Sequence, residues 1–334
     1  MVAGLHGWEH HEEFSSVDER ALADARQAEE VMLAFHVLVA PVQVSPEHVD
    51  RLFRELFPAA EPFGEARLRL GDAAALHGPL AGRGGTRLFQ LVVPAQRGER
   101  PDPDLPDADG LYRLFPAGMP EDQELDVVLA LLAVARRIGA GVIVDVDASG
   151  GCAVVPDPDA RVDLIVWAAP LISAAELLSQ VRHVEPRAYL PADDLSFLYR
   201  EPQSAPEADL RPADRAALHE QAWRIDAAAV GLNQPDPERF EVRVPLTGDS
   251  LLGVYVYPVQ DIDGVRHCPS GLARYCYEVA WQPARDIYRF TDQVDEPMRL
   301  EREMAKNHIR AIVTHLAAAL GGVTTNADGL RVDG

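Results

Sequence analysis

Residues 5–14, LHGWEHHEEF, gather His6, His10 and His11 beside Glu9, Glu12 and Glu13. His6 and His10 are four apart, so on a helix both imidazoles would share a face, and His11 or a glutamate could complete a shell for zinc or a similar ion. Two features oppose a catalytic centre here. Gly7 weakens a helix, and HGWEH lacks the glutamate of the His-Glu-x-x-His pattern that metallopeptidases need. The stretch reads as a polar tail able to bind metal adventitiously.

A second pair, His308 and His315, lies seven apart beside Ile309, Ile312, Val313 and Leu316. Two helical turns return to one face, so the pair could line a groove with Glu301, or simply flank the apolar stripe of an amphipathic helix. HCPSGLARYC (267–276) offers His267, Cys268 and Cys276 without the second ligand pair that would finish a zinc tetrahedron, and Cys276 alternates with Tyr275 and Tyr277 as a strand residue would. Of the acidic doublets at 107–110, 145–151, 261–264 and 326–329, those starting at Asp145 and Asp261 have Pro156 and Leu272 where a calcium loop needs its closing glutamate, and all four read as hairpin turns. The glycine-rich HGPLAGRGGTR (77–87) leads into a strand rather than a helix and lacks a P-loop lysine, so it reads as a loop, not a phosphate cradle. Lys306 is the only lysine and sits in an ordinary helical run, which disfavours Schiff-base chemistry. No nucleophile elbow is present.

The elements that must carry these residues show an internal echo. HVLVAPVQVSPEHVDRLF (36–53) is answered by LIVWAAPLISAAELLSQV (164–181), where Val37, Val39, Ala40 and Pro41 match Val166, Ala168, Ala169 and Pro170 at an offset of 129. Each is an apolar strand ending in Ala-Pro, followed by a serine that can cap a helix. LLAVARRIGAGVIVDVD (131–147) is answered by AIVTHLAAALGGVTTNAD (311–328) at an offset of 181: an apolar helix, a glycine stop and a hairpin. The second half is thus longer by the difference, 52 residues, which includes the linker 201–212 and the helical run 213–231. Strand patterns at 66–72 and 86–95 lie between the echoes in the first half, and at 239–246, 251–259 and 273–281 in the second. The helix at 122–138 is apolar nearly all round from Val127 to Val134, as burial on two sides requires.

The order strand, helix, strand, strand, helix, strand predicts an α+β protein of two tandem diverged βαββαβ, ferredoxin-like, units from an internal duplication, with an N-terminal helical extension. The expected domains are a tail and helix over 1–33, a first unit over 34–160, and a second over 161–334 with a linker and helix inserted at about 201–231. In the extension, Ser16 and Glu19 form a capping box for a helix over 16–33, and 96–110 reads as an acidic, proline-rich loop.

The segments LFPAGMP (114–120), ARRIGAG (135–141), VDLIVWAA (162–169) and the terminal GG…DGLRVDG (321–334) resemble a family of uncharacterised actinobacterial hypothetical proteins of unknown function. That resemblance covers most of 110–334 and implies the fold but no activity.

Composition narrows the function. A formal charge of −22 repels phosphate backbones and argues against nucleic-acid binding, while leaving basic partners open. The sequence lacks an apolar run long enough to span a membrane and an N-terminal secretory pattern, and Cys152, Cys268 and Cys276 are an odd, sparse set, so a cytoplasmic location with free thiols is expected. The reading is a cytosolic, acidic, non-enzymatic binding protein, immunity- or inhibitor-like, for a basic protein partner, with no cofactor. Two alternatives stand beside it. One is a metal-dependent enzyme using His6, His10 and His11 or His308 and His315. The other is a small-ligand binder using the sheet faces, with Trp167 or Trp281 in the pocket.

Overall fold

The computed structural model describes residues 32–64, 67–102, 107, 110–145, 151–191, 238–261, 271–285, 288–289, 291 and 294–332. They form a mixed α+β structure with two antiparallel sheets and five α-helices. The first half contributes β1 (Leu33–Pro41), α1 (Pro46–Leu56), β2 (Glu61–Pro62), β3 (Arg67–Arg69), β4 (Ala75–Ala81), β5 (Thr86–Pro94), α2 (Leu111–Leu114), α3 (Asp122–Ile138), β6 (Gly141–Val144) and β7 (Cys152–Val154). Its sheet runs β2-β3-β4-β5-β1-β6-β7. The second half contributes β8 (Leu164–Ala168), α4 (Ala174–Val184), β9 (Phe240–Pro245), β10 (Leu251–Pro258), β11 (Tyr275–Gln282), α5 (Glu296–Leu320) and β12 (Val323–Asn326), with its sheet ordered β12-β8-β11-β10-β9.

Local sequence explains the element ends. Ser45 accepts from His48 N at the start of α1, and Ser173 with Glu176 forms the reciprocal capping box of α4. Both α3 and α5 stop at a left-handed glycine, Gly139 at φ 64° and Gly321 at φ 63°, where a side chain would be strained. One expectation fails: within 77–87, residues up to Ala81 belong to strand β4, with a register shift between His77 and Leu80. Gly78 and Pro79 sit at that irregularity, and such residues punctuate a sequence as a turn would even inside a bulged strand. The expected extension helix over 16–33 falls almost wholly outside the described residues, and Leu33 already belongs to β1. The inserted linker and helix at about 201–231 also lie outside them.

Each sheet packs helices on one face. Helices α1 and α3 cover the first sheet through Leu52, Phe53, Val127, Leu131 and Val134, against Leu38, Phe89 and Leu91. The two-sided burial expected of α3 is present, since Val127, Val128 and every residue from Ala130 to Arg136 are buried. Helices α4 and α5 cover the second sheet through Leu177, Val181, Ile309, Val313 and Leu316, against Val166, Val254 and Trp281. Each such fully buried side chain contributes roughly 1.5–3 kcal/mol relative to exposure.

The halves meet through the turn after β12. Leu330, fully buried, belongs to the core of the first half, while Val332 packs against that of the second. Arg331 N donates to Glu55 on α1 at 2.9 Å. No helix among the described residues is long and apolar enough to cross a membrane.

Candidate functional site

Strand β1 alternates, so Ala34, His36, Leu38 and Ala40 share the helix-facing side and His36 is the polar member of a buried row. Helix α3 begins beneath it, and its third residue, Glu124, is buried against the strand. A carboxylate in the first turn is favoured by the helix dipole, but a fully buried one also needs donors. Glu124 has three. Gln96 N donates to Oε2 at 2.8 Å, His36 Nε2 lies 3.2 Å from Oε1, and Arg97 Nη2 lies 2.6 Å from Oε1.

Arg97 follows β5 and is held at the sheet end by a bridge to Pro120. Its guanidinium lies 4.5 Å over the Phe115 ring and also pairs with Asp145 just beyond β6. Asp145 N in turn points at His36 Nδ1, 3.4 Å away. With Nδ1 accepting, the proton of a neutral His36 sits on Nε2 and is donated to Glu124. Two non-glycine residues with positive φ lie here, Asp145 itself at 53° and Asp122, two positions before Glu124, at 44°. Left-handed backbone at such residues is costly and persists where surrounding contacts over-determine it.

One ligand atom each from His36, Glu124 and Asp145 lies within 4.8 Å of the others. Arg97 supplies the positive charge between the two carboxylates, so the arrangement is a compensated ionic hub joining β1, β6, α3 and the exit of β5. Sequence reading missed this hub. The available signal was parity: a histidine on the core side of an apolar strand, and a glutamate on the buried face of a helix.

The residues singled out from sequence are placed as follows. His6, His10 and His11 lie outside the described residues. His308 and His315 share a face of α5 that meets α4, where His308 pairs with Glu185, and His315 Nε2 lies 2.8 Å from Gln180 and stacks on His183 at 5.0 Å. No hydrogen bond joins either to Glu301, and the pair lies where α5 meets α4. Trp167 and Trp281 are buried, their indole N–H groups bonded to Thr325 at 2.8 Å and Ser250 at 2.9 Å. Cys276 is a buried strand residue, and Lys306 pairs with Asp159 at 2.5 Å.

Two further ionic sites have their carboxylates in the second half. Asp163, just before β8, accepts from Trp281 N and from Arg289 Nε at 2.8 and 2.9 Å. Burial pushes its carboxyl above the ordinary range, against the pull of Arg289. Asp328, in the turn after β12, receives Arg136 through Nε at 3.1 Å and Nη2 at 2.5 Å, and Arg161 Nη1 at 2.9 Å. Burial alone would raise Asp328, but the two guanidinium groups outweigh it and hold the carboxyl below the ordinary range.

No family model, curated protein or solved structure matches the chain.

Proposed function

We propose that the chain is a cytosolic, non-enzymatic binding protein, immunity- or inhibitor-like, built from two tandem diverged ferredoxin-like units, whose acidic surface receives a basic protein partner. The duplication draws support from strand order. In the first sheet β4-β5-β1-β6 are neighbours and in the second β10-β11-β8-β12. With β1 and β8 taken as equivalent first strands, both run second, third, first, fourth, the antiparallel order of a split βαβ pair.

The observation that carries the function is internal compensation. The described groups best suited to chemistry are engaged with one another: His36, Glu124 and Asp145 with Arg97, Lys306 with Asp159, and His308 with Glu185. The formal charge of −22 remains as the property a partner would meet. Capture from host lysate on the immobilised full chain, beside an unrelated protein of equal charge, tests this. A basic protein retained only by this chain and released by salt supports the reading. Equal retention on both supports refutes it.

A second reading, a small-ligand site on a sheet face, draws on the second sheet. There Tyr257 donates to Glu278 at 2.7 Å, and Arg289 meets Glu278 at 3.3 Å. A small molecule retained in the native mass spectrum of the purified chain, and lost in Glu278→Ala, would favour it.

A further inference from the structure

We propose that His36 Nε2, Glu124 Oε1 and Asp145 Oδ1 are a latent site for one divalent transition-metal ion of the Zn²⁺ type, held closed by Arg97. Metal and guanidinium compete for one place between the two carboxylates. This holds whether or not the chain is a binding protein, since a metal there would need no catalytic role.

The donor geometry is close to that of a coordination shell. His36 Nε2 and Glu124 Oε1 are 3.2 Å apart. That matches neighbouring ligands around an ion with metal–ligand bonds of about 2.0–2.2 Å. One ligand atom from each of the three residues lies within 4.8 Å of the others, so a carboxylate oxygen of Asp145 needs to close in by about 1.5 Å. Asp145 is the member with room to move, its side chain being 32% exposed at the strand end, whereas His36 and Glu124 are wholly buried. An imidazole with two carboxylates suits Zn²⁺ or Mn²⁺ better than an all-oxygen calcium site. Gln96 N already fixes the other Glu124 oxygen, as an outer-shell donor to a metal ligand does.

Arg97 marks the cation position. A guanidinium prefers to meet a carboxylate as a two-pronged fork, as Arg136 does at Asp328. Arg97 instead places the single nitrogen Nη2 against both Glu124 and Asp145, in the manner of a point charge. It is 26% exposed and rests on the Phe115 face, so it can leave without crossing the core.

Coordination also changes the histidine tautomer. The Nε2 proton must pass through solvent to Nδ1, with no net proton gained or lost, and the Asp145 N–H that now faces Nδ1 must turn away.

The test uses the full chain with His6, His10 and His11 changed to alanine, titrated with Zn²⁺ against a chromophoric chelator. Arg97→Met in that background should bind one Zn²⁺ per chain at least about tenfold more tightly than its parent, and adding Glu124→Gln should abolish the gain. Equal affinity of R97M and parent would overturn the proposal. Should R97M fold poorly, ¹⁵N spectra of the parent decide. Excess Zn²⁺ should move the His36 proton from Nε2 to Nδ1, and His36 signals unchanged at saturating Zn²⁺ would likewise overturn it.

Discussion

Changing Asp328 to alanine removes the carboxylate that holds the two halves of the chain together. Arg136 belongs to α3 of the first half, Arg161 to the connection, and Asp328 to the turn that carries Leu330 into the first core. The Asp328 side chain is 3% exposed, that of Arg136 is 7% and that of Arg161 is 18%, so D328A strands the Arg136 guanidinium in a nearly dry place and takes one carboxylate from Arg161, which lies closer to solvent. Removing one partner of a buried pair costs about 3–5 kcal/mol, chiefly through the uncompensated charge left behind. The nearer access of Arg161 to water places the expected loss at the lower end, about 3–4 kcal/mol. Urea unfolding followed by circular dichroism and tryptophan fluorescence measures it. D328A should lower the midpoint, and D328A combined with Arg136→Ala should cost less than the sum of the singles. The pH dependence has a fixed sign. The Asp328 carboxyl is lowered in the folded state, so the unfolded chain takes up the proton first and stability rises with pH through that window. The contribution is present above the ordinary carboxylate range and lost as pH falls through the lowered value, and D328A should flatten that part of the acid limb. A D328A chain within about 0.5 kcal/mol of the parent, with the acid limb unchanged, would refute the clamp.

Other perturbations follow the same logic. Asp163 is raised by burial, so its folded form holds the proton longer and this group's contribution falls as pH rises from the ordinary carboxylate range to the raised value; Asp163→Asn should remove that slope in a pH series of melts. Gly139→Ala and Gly321→Ala should each cost about 1 kcal/mol in thermal unfolding, because both glycines close a helix in the left-handed region. Phe53→Ala, at a fully buried position of α1, should cost about 3–5 kcal/mol by denaturant titration. Trp281→Phe should cost about 1–2 kcal/mol, since Ser250 Oγ loses its indole donor in a buried setting.

The regular elements were legible because local chemistry specifies them. Ser45, Ser173, Gly139 and Gly321 each mark a helix end where one occurs. The alternation in 239–246, 251–259 and 273–281 anticipates β9, β10 and β11. Strand β4 was hidden because Gly78 and Pro79 carry a turn's composition inside a bulged strand. The hub was hidden for a different reason. His36, Arg97, Glu124 and Asp145 are scattered over more than a hundred positions, and only the pairing of β1 with β5 and β6 brings them together. Asp328 was read as an ordinary turn residue, and so it is locally, where Asn326 Oδ1 accepts from Leu330 N at 2.8 Å. Its ionic role depends on Arg136, 192 positions away, which no local pattern announces.

The proposal that the acidic surface serves a basic partner is tested most directly by titrating the captured protein into the full chain at two salt concentrations. The expected result is a saturable complex of fixed stoichiometry whose affinity falls several-fold from 0.05 to 0.2 M salt, roughly as screening of surface charge requires. Retention without saturation, or an affinity indifferent to salt, would contradict it.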